Sequence, residues 1–332
     1  MKQSVKQTVL LTGCAGFIGS NFIKTITCRA DVADKFDFVI VDALTYAGRL
    51  ENIQKELDSN KHLSFVHADI RDSQKMHELF KKHNFAGVMN FAAESHVDRS
   101  IESPNIFVET NVLGTLNLLK ESLALFEKNP NFRYLQVSTD EVYGTLQMED
   151  PAFTESTPIA PNSPYSASKA SADLLVRSFF ETFKLPTVIT RCSNNYGPLQ
   201  VEEKFIPLMI KRALANEKLP IYGTGMNIRD WIYVDDHNEG VWKAFTSGKA
   251  GEVYNFGGNS ERQNLDVAKM ILKHLGKPES LLNFVQDRKG HDFRYAIDYS
   301  KAQKELNWNP TVKFEEQGLL RTIEYYRNLW AK

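Results

Sequence analysis

A glycine-rich turn directly after the first apolar run of the chain constrains its fold more than any other feature of the sequence. The run Thr8–Thr12 leads into Gly13-Cys14-Ala15-Gly16-Phe17-Ile18-Gly19, a G-x-x-G-x-x-G spacing that opens an amphipathic stretch. Gly13 permits a tight turn, Gly16 lets the backbone approach an anionic ligand, and Gly19 lets a helix pack closely on the strand. The pattern therefore predicts a strand, a turn and a helix whose N-terminus binds a pyrophosphate.

Short apolar runs alternate with longer amphipathic stretches as far as Arg191. The predicted strands are Thr8–Thr12, Phe38–Asp42, Ser64–His67, Gly87–Phe91, Tyr134–Ser138 and Thr187–Arg191. The predicted helices lie near 17–28, 48–58, 73–82, 104–126 and 165–184. Strands that alternate with helices through short connections form right-handed βαβ units and a parallel sheet covered on both faces. We therefore expect an α/β protein with a Rossmann-type, doubly wound parallel sheet.

Two aspartates follow predicted strands where a dinucleotide's adenosine would lie. Asp42 ends the second strand, 23 residues after Gly19. A carboxylate there accepts hydrogen bonds from the adenosine ribose and repels a 2′-phosphate, which predicts NAD rather than NADP; a helix N-cap or a surface aspartate is the alternative. Asp69 ends the third strand and is predicted to reach the adenine, or alternatively to cap the next helix.

The regular alternation of short apolar runs with amphipathic stretches ends after Arg191. Asn194-Asn195-Tyr196-Gly197-Pro198 is predicted to be a turn. Helices are then predicted near 204–216, 235–247, 264–275 and 315–330, and strands near 219–222, 231–234 and 252–255. We infer a smaller C-terminal substrate-binding lobe, with the substrate in the cleft between lobes. The predicted domains are 1–193 with 228–258 for NAD, and 194–227 with 259–332 for the substrate.

Composition and charge exclude several functional classes. The 40 basic and 41 acidic residues leave a net charge of −1, whereas nucleic-acid proteins normally carry a basic surplus. No stretch approaches the roughly 20 apolar residues that cross a bilayer, and Val9–Leu11 is too short for a signal peptide. Cys14, Cys28 and Cys192 are odd in number and widely spaced, which fits neither disulfides nor zinc. We expect a reduced, cytoplasmic protein without a metal site.

Tyr165-Ser166-Ala167-Ser168-Lys169 places Tyr165 and Lys169 on one face of a predicted helix. A lysine cation beside a tyrosine is expected to lower the pKa of the phenol and make it a usable base. Together with the glycine turn and the Ser138-Thr139 pair at a strand end, this motif resembles the extended, nucleotide-sugar-modifying branch of the short-chain dehydrogenase/reductase superfamily. The resemblance implies that Tyr165 moves a hydroxyl proton, Lys169 holds the nicotinamide ribose, and Thr139 hydrogen-bonds the reacting hydroxyl.

Two carboxylates, Asp140 and Glu141, follow Thr139 directly. Oxidation at C4 of a hexose makes the C5 proton acidic, so a base removes that proton while an acid protonates the departing C6 hydroxyl. This elimination needs two carboxyl groups in opposite protonation states. Sugar epimerases of the branch usually have uncharged residues here. Resemblance to nucleotide-sugar 4,6-dehydratases implies that Asp140 is the acid and Glu141 the base; a solvated acidic turn is the alternative.

Longer motifs narrow the resemblance to dTDP-glucose 4,6-dehydratases, from about residue 8 to 330. These motifs are Asp42–Gly48, Ala92–Ser100, Arg191–Pro198, Lys204–Pro207, Arg229–Trp231 and Asp287–Asp292. The resemblance implies a hydro-lyase that retains and regenerates NAD while it forms a 4-keto-6-deoxy sugar nucleotide for deoxysugar biosynthesis. One departure is Cys14, where the family usually has glycine.

The resemblance also implies two sets of binding residues. The NAD contacts are Gly13, Gly16, Phe17, Ile18, Gly19, Asp42, Thr45, Asp69, Ile70, Ala92, Ala93, Tyr165, Lys169 and Asn195. The substrate contacts are Ser95, Thr139, Asn194, Lys204, Phe205, Pro207, Tyr222, Arg229, Asn264, Arg288 and His291. Cations among the second set suit a diphosphate. Alternatively, Lys204 is a solvated helix start, Arg229 pairs with Asp230 or Asp235, and His291 is structural.

Two predicted helices are apolar on more than one face. In the helix near 104–126 these residues are Val108, Val112, Leu113, Leu116, Leu118 and Leu119. In the helix near 165–184 they are Leu174, Leu175, Val176, Phe179, Phe180 and Phe183. Helices of this kind bury two surfaces, so we expect a homodimer that pairs them with their copies. Ordinary core packing with a lobe contact is the alternative.

Three other functions remain open at this stage. The first is the same reaction on another nucleotide sugar, UDP-glucose or UDP-N-acetylglucosamine; thymine and uracil differ by one methyl group. A nucleotide-sugar epimerase is disfavoured by Asp140-Glu141. A non-catalytic NAD-binding protein has no need of the acid–base residues.

Overall fold

A computed structural model describes residues 6–330, so residues 1–5 and 331–332 of the predicted domain ranges lie outside the described residues. The strands are β1 Gln7–Thr12, β2 Phe36–Asp42, β3 Leu63–His67, β4 Gly87–Asn90, β5 Arg133–Thr139, β6 Thr187–Cys192, β7 Asn194–Tyr196, β8 Leu219–Tyr222, β9 Ile228–Tyr233, β10 Val253–Phe256, β11 Glu261–Gln263 and β12 Leu282–Val285. The α-helices are α1 Phe17–Phe22, α2 Ala30–Ala33, α3 Gln54–Ser59, α4 Ser73–Lys82, α5 Val97–Glu102, α6 Asn105–Phe107, α7 Thr115–Phe126, α8 Pro164–Phe183, α9 Phe205–Leu214, α10 Val234–Ser247, α11 Asn264–His274, α12 Ser300–Leu306 and α13 Leu319–Trp330.

Seven strands form one parallel sheet in the order β3-β2-β1-β4-β5-β6-β10. The order reverses beside β1, as it does in doubly wound dinucleotide-binding folds. The predicted Rossmann-type α/β fold is therefore confirmed. Ligands of such sheets bind outside the carboxyl ends of the strands.

Side chains that alternate along the strands of the sheet pack into two separate hydrophobic cores, one on each face. Val9 and Leu11 of β1 pack with α10 residues such as Trp242 on one face. Leu10 packs with α4, α7 and α8 on the other, where Val176 is one of the contacts. Burial on both faces explains why these strands are near-continuous apolar runs.

Several predicted helices are real but not regular throughout. Residues 17–28 form α1 followed by a π-helical turn at Ile23–Thr27. The stretch 104–126 contains α6, a π-helical segment at Val108–Gly114, and α7. Hydrophobic periodicity does not distinguish these local windings, because each keeps roughly the same face toward the core.

The predicted turn at residues 194–198 is wrong in its first half. Asn194–Tyr196 is strand β7, which pairs with β9, while β9 also pairs with β11 in a three-stranded sheet. The residues of this short strand favour turns, so the sequence does not predict it. The strand forms because its pairing with β9 outweighs that local preference. The structure also contains β11, β12, α5 and α12, which the sequence analysis did not predict.

A third hydrophobic core, separate from the two that flank the large sheet, lies around this small sheet. It contains residues of α9, α11 and α13, with β8 and β12 forming a further parallel pair. β9 belongs to this region, although 228–258 was assigned to the NAD-binding domain, whereas β10 joins the large sheet. The domain division as a whole stays a prediction.

Between residues 6 and 330, no helix combines the length and the apolar character that crossing a membrane requires. Within the same residues, no group of three or more His, Cys, Asp or Glu side chains is placed to hold a metal ion.

Candidate active site

A cavity of about 320 Å³ opens at the carboxyl ends of the parallel strands. Every residue predicted to bind NAD lines it: Gly13, Gly16, Phe17, Ile18, Gly19, Asp42, Thr45, Asp69, Ile70, Ala92, Ala93, Tyr165, Lys169 and Asn195. The predicted catalytic residues also line it, as do Ser95, Asn194 and Lys204. The fold therefore brings these side chains to one place, while their individual roles remain predictions.

The glycine turn brings β1 and β4 into close contact. Gly13 has φ +72°, and a Cβ built there would lie 2.5 Å from the backbone of Ala92. A Cβ on Gly19 would lie 2.5 Å from Cα of Cys14. Gly16 has only the Gly13 carbonyl nearby, at 3.3 Å. Gly13 and Gly19 are thus required by packing, and the turn leaves space beside Gly16.

Asp42 is held by the backbone of the turn that it faces. Its two carboxylate oxygens accept from the amides of Ala15 and Leu44, each at 2.8 Å. Burial raises the pKa of Asp42, and those two amides oppose the shift. The carboxylate is therefore fixed at the cavity wall, where its remaining lone pairs are available to ribose hydroxyls.

Asp69 has a side-chain partner as well as backbone ones. Arg71 donates to its Oδ2 through Nε at 2.9 Å and Nη2 at 2.7 Å, and the Arg71 amide donates to Oδ1. Burial alone would raise the pKa of Asp69, but Arg71 outweighs it, so the pKa is lowered. Asp69 lines the cavity as an ionised group, and the helix N-cap of α4 is Asp72 instead.

Thr139, Asp140 and Glu141 lie where β5 ends and a short 3₁₀ turn begins. The Thr139 hydroxyl donates to Asp140 Oδ1 at 3.3 Å, and Asp140 is only 2% exposed. Burial, followed by the charge of Glu141, raises the pKa of Asp140 well above its ordinary value. Burial also raises the pKa of Glu141, but the cations of Lys204, Arg229 and Arg288 oppose that shift. Asp140 is thus favoured as the neutral acid and Glu141 as the carboxylate.

Tyr165 and Lys169 project from the first turns of α8, whose N-terminus carries a Ser163–Ser166 capping box. Lys169 Nζ donates to the Val137 carbonyl at 2.7 Å. Burial and the Glu141 charge raise the pKa of Tyr165 well above its ordinary value. The expected lowering of this pKa is wrong for this structure, because burial dominates the phenol's surroundings and the lysine is bound to a strand carbonyl.

A buried ion pair lies behind Lys169. Asp173, one helical turn further along α8, accepts from Arg191 Nε at 2.9 Å, and both side chains are buried. The Arg191 guanidinium also covers the ring of Tyr143, at 4.8 Å from its centre. Burial lowers the pKa of Lys169, and the Asp173 charge opposes that shift. The pair therefore supports a charged lysine in a buried site.

Three predicted phosphate-binding cations occupy the substrate side of the cleft. Lys204 Nζ donates to the Ser95 carbonyl at 2.7 Å. Arg229 donates to the carbonyls of Asp292 and Phe293, so its alternative pairing with Asp230 or Asp235 is absent from the hydrogen bonds of residues 6–330. The third cation is Arg288. The positive charges of all three oppose the rise in the pKa of Glu141.

Arg288 forms an ion pair across the cleft. Its Nε lies 2.6 Å from Asp98 Oδ1, and its guanidinium covers the ring of Tyr222 at 5.1 Å. His291 is close to the same ring, at 6.3 Å between centres, and its Nδ1 lies 2.7 Å from Asp287 Oδ1. The structure thus groups Arg288, Tyr222 and His291.

Seven predicted substrate residues lie outside the cavity lining: Tyr222, Arg229, Arg288 and His291, described above, and Phe205, Pro207 and Asn264. Phe205 stacks on Trp231 at 6.2 Å between ring centres, and Pro207 is buried in α9. Asn264 begins α11, where its amide donates to the Asn227 carbonyl. Their predicted contacts with substrate remain untested.

Several lining residues were missed by the sequence analysis. Arg71, Glu94, Cys192 and Gln200 all line the cavity. Glu94 and Cys192 lie inside motifs already quoted, so position within those motifs was an available signal. No sequence signal pointed to Arg71 or Gln200, because only the fold brings their segments to the cavity.

Polar atoms without partners show that the cavity suits a polar ligand. Asp140 Oδ2, Asn194 Oδ1, Asn195 Oδ1 and Gln200 Oε1 are buried and have no hydrogen-bond partner within residues 6–330. Buried polar atoms normally have partners. These atoms, with the glycine turn and Asp42, fit a dinucleotide and a sugar hydroxyl.

Comparison with known proteins agrees with this geometry. A family model described as GDP-mannose 4,6 dehydratase matches residues 10–319. A dTDP-glucose 4,6-dehydratase of Xanthomonas campestris pv. campestris is 50% identical over 333 residues, which cover 96% of this chain and 93% of the relative. One from Escherichia coli is 48% identical over 345 residues, with coverage of 96% and 93%.

A solved structure has the same architecture. The crystal structure of a dTDP-glucose 4,6-dehydratase from Streptomyces venezuelae, with NAD and dTDP bound, is 42% identical and superposes with a TM-score of 0.89. The match covers 98% of this chain and 99% of that one. The resemblance inferred from the motifs is confirmed, and the chain belongs to the dTDP-glucose 4,6-dehydratase family.

Proposed function

We propose that this enzyme, a hydro-lyase, converts dTDP-glucose into dTDP-4-keto-6-deoxyglucose and water, with NAD regenerated in each turnover. The observation that carries the proposal is the pair Asp140 and Glu141 between Thr139 and Tyr165 in one cavity. The two carboxyl groups differ in their surroundings, and such a difference assigns an acid and a base.

The chain's own residues divide the proton transfers. Tyr165, as the phenolate, removes the proton from O4 of the sugar, while the Thr139 hydroxyl holds that oxygen. Burial opposes ionisation of the phenol, and the positive charge of bound NAD would favour it. Glu141 removes the C5 proton, and Asp140 protonates the C6 hydroxyl as it leaves as water. Protonated Asp140 is ready for this step because burial raises its pKa. A proton then returns from Glu141 to C5, and the proton taken from O4 replaces the one that Asp140 gave up.

The glycine turn, Asp42 and Lys169 are the residues that would hold NAD, at its pyrophosphate, adenosine ribose and nicotinamide ribose. When bound, NAD would supply reversible hydride transfer between C4 and C6 of the sugar. The Lys169 ammonium, which donates to the Val137 carbonyl, would donate to the ribose hydroxyls in its place or in addition. Walls from both sides of the cleft exclude water from the dehydrated sugar.

A mass measurement tests this function. Purified protein is incubated with dTDP-glucose and no added cofactor, and the expected product has lost one water. An isomer of unchanged mass would indicate an epimerase, and no reaction with any hexose nucleotide would leave an NAD-binding protein. A parallel reaction with UDP-glucose tests the choice of nucleoside, since one methyl group contributes only about 1–3 kcal/mol of discrimination. A reaction with UDP-N-acetylglucosamine tests the choice of sugar as well.

We also propose a homodimer through the helices near 104–126 and 165–184. Leu118, Leu119, Val176 and Phe179 are buried in the core. The outer faces of the same helices expose Val108, Leu113, Leu174 and Phe183, each about half accessible to solvent. An apolar face of this kind is typical of an interface.

Light scattering after gel filtration tests the dimer. Leu174→Glu is expected to give a monomer, because a charge at the centre of an apolar interface is costly to bury. Leu329→Glu is the matched control, since Leu329 is similarly exposed on α13. A monomeric wild-type protein would contradict the proposal.

The location and the domain division are proposals too. All three cysteines are free thiols, which supports a reducing, cytoplasmic environment. We keep the predicted domains, 1–193 with 228–258 for NAD and 194–227 with 259–332 for the substrate, with β9 as the segment that packs with the substrate lobe. Limited proteolysis would cut between the predicted domains and not within them.

A further inference from the structure

Tyr46, Arg99 and Glu203 come from three distant segments and meet above the cavity. The Arg99 guanidinium lies over the Tyr46 ring, 3.9 Å from its centre. Arg99 Nη2 also lies 3.3 Å from Glu203 Oε2, where it donates a hydrogen bond. His96 Nε2 approaches the same carboxylate at 3.8 Å. We call Tyr46, Arg99 and Glu203 the clasp.

Each clasp residue is flanked by residues of the cavity wall. Tyr46 lies between Thr45 and Ala47, Arg99 follows Glu94 and Ser95 closely, and Glu203 lies between Val201 and Lys204; these six neighbours line the cavity, whereas the clasp residues do not. The clasp therefore joins three parts of the wall from outside. A second link between two of these segments is the hydrogen bond from Lys204 Nζ to the Ser95 carbonyl.

We propose that Arg99 is a positioning residue that holds these three wall segments together over bound NAD and slows its release. The inference rests on the proposed function, in which one NAD molecule completes both halves of the reaction. Dissociation between the two halves would strand the oxidised sugar, so slow release serves this reaction more than one in which the cofactor exchanges after every step.

Arginine suits the position because its planar guanidinium stacks on an aromatic ring while its edge donates to a carboxylate. A lysine offers a point charge and does not stack in the same way. Burial raises the pKa of Tyr46 to about 12, so the ring stays neutral near physiological pH. Each clasp contact is partly exposed to solvent, and such contacts contribute modestly.

The rate of NAD release tests the proposal. Purified holoenzyme is diluted into cofactor-free buffer, and the NAD that remains bound is quantified over time after rapid filtration. For Arg99→Ala we expect release about tenfold faster than in the wild type, the change that one cation–π contact and one ion pair together correspond to. With saturating NAD added, kcat is expected to stay within about twofold of the wild type, because no atom of the clasp lines the cavity.

Three further variants separate the parts of the clasp. Arg99→Lys is expected to fall between wild type and alanine, since it keeps the charge and loses the stacking. Glu203→Gln removes the ion pair and keeps the shape, while Tyr46→Phe keeps the ring and is expected to release NAD at the wild-type rate. Melting temperatures show that each variant is folded.

Arg29→Ala is the matched control. Arg29 forms an ion pair with Glu239 at 2.6 Å, with side-chain exposures of 40% and 32% against 48% and 23% for Arg99 and Glu203. Neither residue lines the cavity, so NAD release is expected to be unchanged.

Three outcomes would overturn the role of Arg99. These are release from Arg99→Ala at the wild-type rate, equal acceleration in Arg29→Ala, and a loss of kcat under saturating NAD with retention unchanged. Failure of the proposed function looks different: the wild-type protein would then hold no NAD or form no dehydrated product, before any variant is compared.

Discussion

The two walls of the cleft hold their polar groups in different ways. On the cofactor wall, backbone amides of the loops after β1 and β2 hold Asp42, and a carbonyl of β5 holds Lys169. On the substrate wall, Lys204 is held by the carbonyl of Ser95, 109 residues away in the chain, and Arg288 by the side chain of Asp98, 190 residues away. The partners on the cofactor wall are therefore backbone groups at most 32 residues away in the chain, whereas those on the substrate wall are more than 100 residues away.

This difference assigns different sensitivities to the two walls. Backbone partners on the cofactor wall leave little room for substitution. The partners of the substrate cations must be exchanged or shared when a diphosphate binds, because a guanidinium has a limited number of donors. Changes to the first wall should affect NAD retention, and changes to the second should affect substrate affinity.

The largest effect is expected where the walls meet. Glu141→Gln removes the base for the C5 proton, and turnover is expected to fall about 10²–10⁴-fold. Bound NAD should still be reduced by dTDP-glucose, which absorbance at the reduced nicotinamide band would show, while product mass shows no loss of water. Glu149→Gln, at an exposed position, serves as the control; normal turnover by Glu141→Gln would refute the assignment of the base.

A glycine change tests the cofactor wall. Gly13→Ala adds left-handed strain of about 1–2 kcal/mol and overpacking of about 1–3 kcal/mol against Ala92. We expect a loss of about 2–5 kcal/mol in unfolding free energy and a protein that purifies without NAD. Gly276→Ala has a similar φ of +65° but nothing within 4 Å, so it should show the strain alone. If denaturant titrations show the same loss of unfolding free energy in both variants, the close packing of Gly13 against Ala92 does not contribute to stability.

A charge deletion tests the substrate wall. Arg288→Ala is expected to raise KM for dTDP-glucose about 10–100-fold, the range of a charge-assisted hydrogen bond worth about 1.5–3 kcal/mol. NAD content should equal that of the wild type, and kcat should change little. Arg262→Ala, whose ion pair with Glu315 lies outside the cavity, is the control. Loss of NAD from Arg288→Ala would show that the walls are not separable.

The smallest effect concerns pH and Asp140. Because burial raises its pKa, folded protein keeps this proton at pH values where the unfolded chain has lost it. The unfolding free energy contributed by this group therefore falls as pH rises above about 4, the ordinary range of aspartate, toward the raised pKa. Asp140→Asn removes that penalty and should stabilise the protein by about 0.5–2 kcal/mol at pH 8.

The difference should vanish near pH 3, where both states are protonated. Denaturant titrations at both pH values measure it, with exposed Asp266→Asn as the control. A stabilisation that is equal at both pH values would contradict the buried acid.

How far sequence predicts structure differs between the same two walls. The apolar runs, the glycine spacing and Asp42 indicate most of the cofactor wall, because strand periodicity and turn chemistry are short-range properties, but they do not indicate Arg71. The cation set of the substrate wall was indicated by motif, but its partners were not. β7 was concealed by turn-forming residues and exists because β9 pairs with it.

By itself, the sequence determined the seven strands of the parallel sheet, the glycine turn, and the placing of Thr139, Asp140, Glu141, Tyr165 and Lys169 together. Only the tertiary structure decided the pKa of Tyr165, since desolvation depends on every segment that covers a group. It also decided the pairing of Arg288 with Asp98 and of Arg99 with Tyr46 and Glu203. Partners so distant along the chain meet only after the whole fold has formed, and local sequence patterns do not record them.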